Sequence, residues 1–242
     1  MAILLEQLNG VGNGTTLTTG NTSYNAVGSG ITADTSQASS MGIPVAARIP
    51  ASSVNGQLKW NGLSTTDFLA RWLVCYPVLM GADHWMFSAE AAGSRAITLG
   101  YLGSFNKLRL YTAAGTGTTI WTAANAFVAT RCYRIEVYMS GLSASTATVK
   151  VRMFSGATPL EALSGTATPV ESYDGTGVSN TGTTNIDTIN FAKVNTVTLA
   201  QDLYVGATAL NTAPAGDQPW PLYTVPTRIP APSRAVARAA NY

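Results

Sequence analysis

A chain of 242 residues carries a net charge of +2, one histidine, two cysteines and 11% charged residues, against roughly 25% in ordinary globular chains. A histidine-based zinc centre is excluded, because zinc takes three or four His, Cys or carboxylate ligands, and so is a disulfide-dense scaffold. The near-neutral balance also lacks the basic patch that marks a nucleic-acid partner.

At the N-terminus, MAILLEQLNG has a short apolar run at 2–5 that ends at Glu6. A signal peptide needs a basic leader and about 7–15 apolar residues, and a membrane span roughly 20, so the sequence points to a protein made in the cytoplasm with no membrane partner. Residues 10–40 are poor in charge and in large apolar anchors and rich in Gly, Thr, Asn and Ser, which predicts a long strand-and-loop lead into the fold. Short segments of Thr, Val, Ile and aromatics then read as strands at 43–49, 68–76, 84–89, 95–101, 107–112, 118–121, 132–139, 148–154, 188–194 and 203–208. Gly, Asn, Ser and Pro separate them. Alternation is sharpest at 131–140, with Tyr133, Ile135, Val137 and Met139 on one face and Cys132, Arg134, Glu136 and Tyr138 on the other. One dry and one wet face suits an outer layer of a two-sheet sandwich. The alanine-rich stretch at 123–129 is too short for a crossover helix, which disfavours a parallel sheet. The expected fold class is all-β, an antiparallel sandwich or barrel of about ten or more strands.

Residues 212–242 differ. Pro214, Pro219, Pro221, Pro226, Pro230 and Pro232 forbid regular sheet or helix and favour an extended path. The chain therefore divides into a sandwich at 1–211 and an extended C-terminal arm at 212–242. No acid follows Asp217, whereas Arg228, Arg234 and Arg238 remain. Tyr223, Arg228, Ile229, Arg234, Arg238 and Tyr242 are the residues with which such an arm would grip a neighbouring subunit. Proline lowers the ordering cost of that contact, and arginine suits carboxylate partners.

The catalytic inventory is thin, and the expectation is a non-enzyme without a cofactor. Retaining glycosidases hold two carboxyls about 5–5.5 Å apart. No Glu-x-Asp-x-x-Glu pattern exists, Glu136 has no acid at 134 or 138, and Asp83 and Glu90 are seven apart. His84 reads as a strand-edge histidine bonded to backbone or to Asp83 rather than as an acid–base group. Asp174, Asp187, Asp202 and Asp217 supply no local calcium cage, and Asp174-Gly175 reads as a turn. Strand pairing can bring Cys75 and Cys132 to disulfide range, but folding in a reducing cytoplasm favours two unpaired thiols. Tyr111, Tyr138, Trp60 and Trp121 are the candidates for contact with a glycan or a protein, since aromatic side chains at exposed faces or loop edges serve both.

Three stretches resemble the concanavalin A-like (LamG, jelly-roll) β-sandwich proteins encoded by tailed phages of actinobacteria. They are EQLNGVGNGTTLTTGNTSYNAV at 6–27, TRCYRIEVYMSGLSASTATVKVRMFSG at 130–156 and QDLYVGATALNTAPAGDQPW at 201–220. The second is similar to that fold's paired central strands, joined by a Gly/Ser turn. Relatives often place two acids ahead of the last strand, whereas here Asp202 is followed by Leu203. The resemblance implies an antiparallel jelly roll and a structural role in the virion, as a minor tail, fibre-type or capsid decoration protein. Its implied partners are other virion proteins in a multi-copy or homo-oligomeric assembly. A carbohydrate-binding adhesion module for host surface glycan is the alternative.

Overall fold

The computed structural model of the chain describes residues 3–6, 8, 10–53, 56–112, 118–143, 145–155, 168–179, 184–194 and 197–216, and these are the residues discussed below. The elements are β1 (Ile3–Glu6), β2 (Ala26–Val27), β3 (Thr32–Asp34), α1 (Ala38–Met41), β4 (Ala46–Ile49), β5 (Gln57–Thr65), β6 (Phe68–Cys75), β7 (His84–Ala91), β8 (Ser94–Leu102), β9 (Lys107–Thr112), β10 (Thr119–Ala126), β11 (Cys132–Ser140), β12 (Thr146–Ser155), β13 (Glu171–Ser179), β14 (Ile186–Ala192) and β15 (Leu203–Asn211). They form two antiparallel sheets. One runs β13-β12-β11-β6-β15-β4-β3, with β1 also on β15, and the other runs β10-β9-β8-β7-β14-β5-β2. The molecule is a jelly-roll-like β-sandwich: the residue pattern predicts an all-β sandwich or barrel, and the resemblance implies the jelly roll.

The two sheets meet through aromatic side chains that alternation sends inward. Trp72 on β6 stacks on Phe87 of β7 at 5.2 Å and meets Phe191 of β14 edge-on at 5.5 Å. Trp60 on β5 joins this cluster through Phe191 and is 1% exposed. Its neighbours Lys59 and Asn61 face the other way. The expectation of Trp60 as a surface contact is therefore corrected: strand parity buries it.

Residues 10–40 hold more anchors than their composition suggests. Leu17, Tyr24 and Ile31 are buried in the same core. β1, β2, β3, β5 and β13 lie outside the predicted strands, because Gly, Asn and Ser dilute their alternation. The single helical turn α1 packs with Ile43 over Ala46, Leu73 and Ala207 on the outer face of the eight-stranded sheet. Gly206 leaves room there for the end of the Ile43 side chain.

Cys75 and Cys132 form a disulfide, which corrects the expectation of free thiols. The register of β6 and β11 sets them directly opposite each other, with Cα atoms 4.2 Å apart. That is close to the narrow pair of an antiparallel ladder, where side chains approach most closely. Asp174 lies within β13 rather than in a turn, held by Arg152 at 2.7 Å. The arm residues Tyr223, Arg228, Ile229, Arg234, Arg238 and Tyr242, and Asp217 with them, lie outside the described residues.

Candidate functional site: the outer face of the seven-stranded sheet

Register brings polar side chains into one row across five strands of this sheet. Lys59 on β5 pairs with Asn190 on β14, Asn190 with Ser88 on β7, Ser88 with Thr98 on β8, and Thr98 with Tyr111 on β9. Adjacent strands lie about 4.8 Å apart, so the row spans about 19 Å. Each strand contributes because its flanking residues (Leu58 and Trp60, Ile189 and Phe191, Phe87 and Ala89) are committed to the core. The row is linked: Asn190 Nδ2 donates to Ser88 Oγ at 3.0 Å, and Ser88 Oγ donates to Glu90 Oε1 at 2.7 Å. Asn190 Oδ1 is buried and accepts no hydrogen bond. A buried carbonyl oxygen without a donor costs about 1–3 kcal/mol.

Two half-buried rings flank this row. A Cβ built on Gly100 would lie 3.1 Å from the Tyr111 ring and 3.5 Å from the Trp85 ring. Glycine at that position on β8 lets both rings close in from the neighbouring strands. Arg95 lies over the Trp85 ring at 4.2 Å and is paired with Glu90 at 3.3 Å. Arg109 stands 5.8 Å from the Tyr111 ring centre and donates through Nε to Thr122 Oγ1 at 3.2 Å. At the other end, a groove of about 330 Å³ lined by Ala26, Val27, Gly28, Gln57 and Lys59 continues the row to the sheet edge. Asn190, Ser88 and Thr98 are themselves fully enclosed, so the surface of this face is made by the half-buried Lys59, Trp85, Arg95, Arg109 and Tyr111, which set rings beside cationic donors.

Of the aromatic candidates, Tyr111 belongs to this face. Tyr138 lies on the outer face of the other sheet, against Leu69 and Ala209. Trp121 is half-buried and tilts against Tyr173 at 5.8 Å, where the two sheets approach each other. Trp85, Arg95, Arg109, Ser88, Thr98, Asn190 and Lys59 were not singled out by sequence. The signal was polar alternation in 57–61, 107–111 and 188–191, which also describes an ordinary wet strand face.

The chemistry-bearing residues are tied into the scaffold. His84 is fully buried, with Nδ1 3.4 Å from Ala82 O and Nε2 3.3 Å from the Tyr76 hydroxyl. Its partner is thus backbone; Asp83 instead accepts the Gly103 N–H at 2.7 Å. Every acid except Glu161 and Asp217, which are not described, bonds within the fold. Glu171 accepts the N–H groups of Ala124 and Asn125 and so ties β10 to β13. Asp202 binds Arg48 at 2.6 Å and the Ala51 N–H at 2.9 Å, which pins the end of β4. Lys193 sends its ammonium to the carbonyl oxygens of Ser53 and Ala51. Arg134 and Glu136 form a buried pair 3.1 Å apart, off the hydrogen-bonding direction and therefore coulombic. Burial pushes the Glu136 carboxyl above the usual range, against the pull of Arg134, Arg71 and Arg152. No group of three or more His, Cys, Asp or Glu side chains suited to a metal occurs among the described residues.

The sequence matches no family model and no curated protein. Solved structures share the fold. An endo-β-1,4-glucuronan lyase from the fungus Trichoderma reesei has a TM-score of 0.54 at 7% identity, covering 87% of this chain and 95% of that one. The binding domain of Paraclostridial mosquitocidal protein 1 has a TM-score of 0.52 at 10% identity, covering 80% and 45%. The receptor-binding domain of botulinum neurotoxin type G has a TM-score of 0.51 at 11% identity, covering 86% and 46%. The chain spans about half the length of the two toxin domains. At these identities the likeness is one of fold.

Proposed function

We propose that this protein is a non-enzymatic attachment module that binds a polysaccharide on the outer face of its seven-stranded sheet, as a structural component of a tailed-phage virion. The observation that carries the binding half is the set of half-buried side chains Lys59, Trp85, Arg109 and Tyr111, which register brings to one face around the enclosed polar residues Asn190, Ser88 and Thr98. Polar side chains at the centre of a sheet, including a buried amide oxygen that accepts no hydrogen bond, are poor stabilisers. The half-buried rings and cations around them are the part of this face that a sugar can reach. The non-enzymatic half is supported by a lone histidine inside the core and by carboxylates engaged in holding loops and strands. The virion half rests on the resemblance over residues 6–220; it is consistent with the low charge and with a disulfide that persists once the protein leaves the cell. Within a virion, many weak copies add to firm attachment.

A glycan array with the full chain tests the binding half. The expected result is saturable binding to a defined set of polysaccharides, reduced up to about tenfold in Trp85→Ala and Tyr111→Ala, since aromatic contacts of this kind contribute about 0.5–1.5 kcal/mol. Tyr138→Ala, on the other sheet, leaves binding unchanged. Sugar release from purified host wall by the protein alone would overturn the non-enzymatic reading.

A further inference from the structure

The outer faces of the two sheets differ in how they treat their cations. On the eight-stranded sheet, Arg48, Arg134, Lys150 and Arg152 each face a carboxylate within 4 Å, from Asp202, Glu136 or Asp174. On the seven-stranded sheet, Glu90 is taken by Arg95, and no carboxylate among the described residues lies within ion-pair distance of Lys59, Lys107 or Arg109. These three sit on the face that carries the polar row and the two rings: Lys59 at its β5 end, Lys107 and Arg109 on β9. This face thus gathers three cations that no described carboxylate neutralises.

We infer that the ligand of this face is an anionic polysaccharide, held by Lys59 at one end of the row and Arg109 at the other, with Trp85 and Tyr111 beneath its sugar rings. The inference rests on the proposed polysaccharide binding and adds the charge of the ligand. Two cations separated by most of the row length of about 19 Å read a chain whose charge repeats along its length, not a single charged end group. Arg109 is suited to a planar or tetrahedral oxyanion, because its guanidinium presents a fork of donors and only Nε is used by Thr122. Carboxylate and sulfate groups share this chemistry, so the anion is defined as a class and its identity is left to the experiment.

The experiment is affinity electrophoresis of the full chain in gels containing polygalacturonate, dextran sulfate or unmodified dextran, repeated across a salt series. The inference expects strong retardation by one or both anionic polymers, fading as salt rises, and little retardation by dextran. Polygalacturonate alone would identify a carboxylate ligand, and dextran sulfate alone a sulfate-type ligand. The Lys59→Ala, Arg109→Ala double variant loses about tenfold in affinity for the anionic polymer, with near-ultraviolet circular dichroism unchanged. Equal retardation by dextran and the anionic polymers, or an unaffected double variant, overturns the charge assignment and leaves polysaccharide binding standing. Failure to bind any of the three, together with a blank glycan array, overturns the binding proposal itself.

Discussion

His84 is wholly enclosed, stacked on Tyr101 at 4.9 Å and edge-on to Tyr76 at 6.0 Å. Desolvation pulls its pKa from 6.5 to about 4, with Lys193 adding to the effect and the bond to Ala82 opposing it. The unfolded chain therefore takes up a proton near pH 6.5 that the folded chain refuses until about pH 4. Stability is full above pH 6.5 and falls as pH drops from there towards 4, by about 3 kcal/mol on this group alone. Urea unfolding at pH 7 and pH 4.5 checks this. Wild type is expected to lose about 2–3 kcal/mol more than His84→Gln over that interval. Identical pH dependence in the two proteins would mean that His84 is protonated without cost, contrary to its burial. Its neighbours are core rings, and its two nitrogens face a backbone oxygen and a tyrosine hydroxyl.

At the scale of elements, β6 and β11 show what register decides. Their eight paired positions run from Cys132 opposite Cys75 to Met139 opposite Phe68. A shift of one residue would send the core-facing Trp72 and Ile135 to the wrong face and part the cysteines. The alternation at 131–140 was visible in the sequence, and β11 follows it, but the residues expected on a wet face are partly buried. Arg134 lies over the Phe154 ring at 3.9 Å, and Glu136 is 6% exposed. Neighbouring strands and α1 supply that cover, and alternation within one strand carries no information about it. The disulfide joins positions 57 residues apart in sequence. Closing a loop of that size restricts the unfolded chain and contributes about 2–4 kcal/mol. Reduction, or the Cys75→Ser, Cys132→Ser variant, is expected to lower the urea midpoint accordingly while the sandwich persists, because the strand ladder on either side remains. A midpoint insensitive to dithiothreitol would show that the bond adds nothing to stability.

At the scale of the whole molecule, the sandwich forms one continuous core, from Leu17 and Tyr24 near the N-terminus to Leu210 in β15. The Pro-rich segment 212–242 differs from it in composition. Proline fixes φ, so the six prolines of that segment would lower the entropy lost if it docks as the proposed arm. As part of the proposed virion role, we expect truncation before Thr224 to abolish incorporation into particles, read by quantifying the protein in purified virions against the full-length copy number. Truncated protein incorporated at normal copy number would remove the arm from the assembly.

The sequence by itself determined the all-β class, ten of the strands and the scarcity of catalytic groups, because residue alternation and residue counts are local properties. Lys107–Thr112 was legible to the residue, since Leu108 and Leu110 alternate with Lys107, Arg109 and Tyr111. Tertiary structure alone decided that Trp60 faces inward, that Cys75 meets Cys132, and that Lys59, Asn190, Ser88, Thr98 and Tyr111 align in one row. Those residues come from five strands as far apart in sequence as Lys59 and Asn190. Their meeting depends on strand order and register, which the packing of two sheets selects as a whole and no single segment encodes.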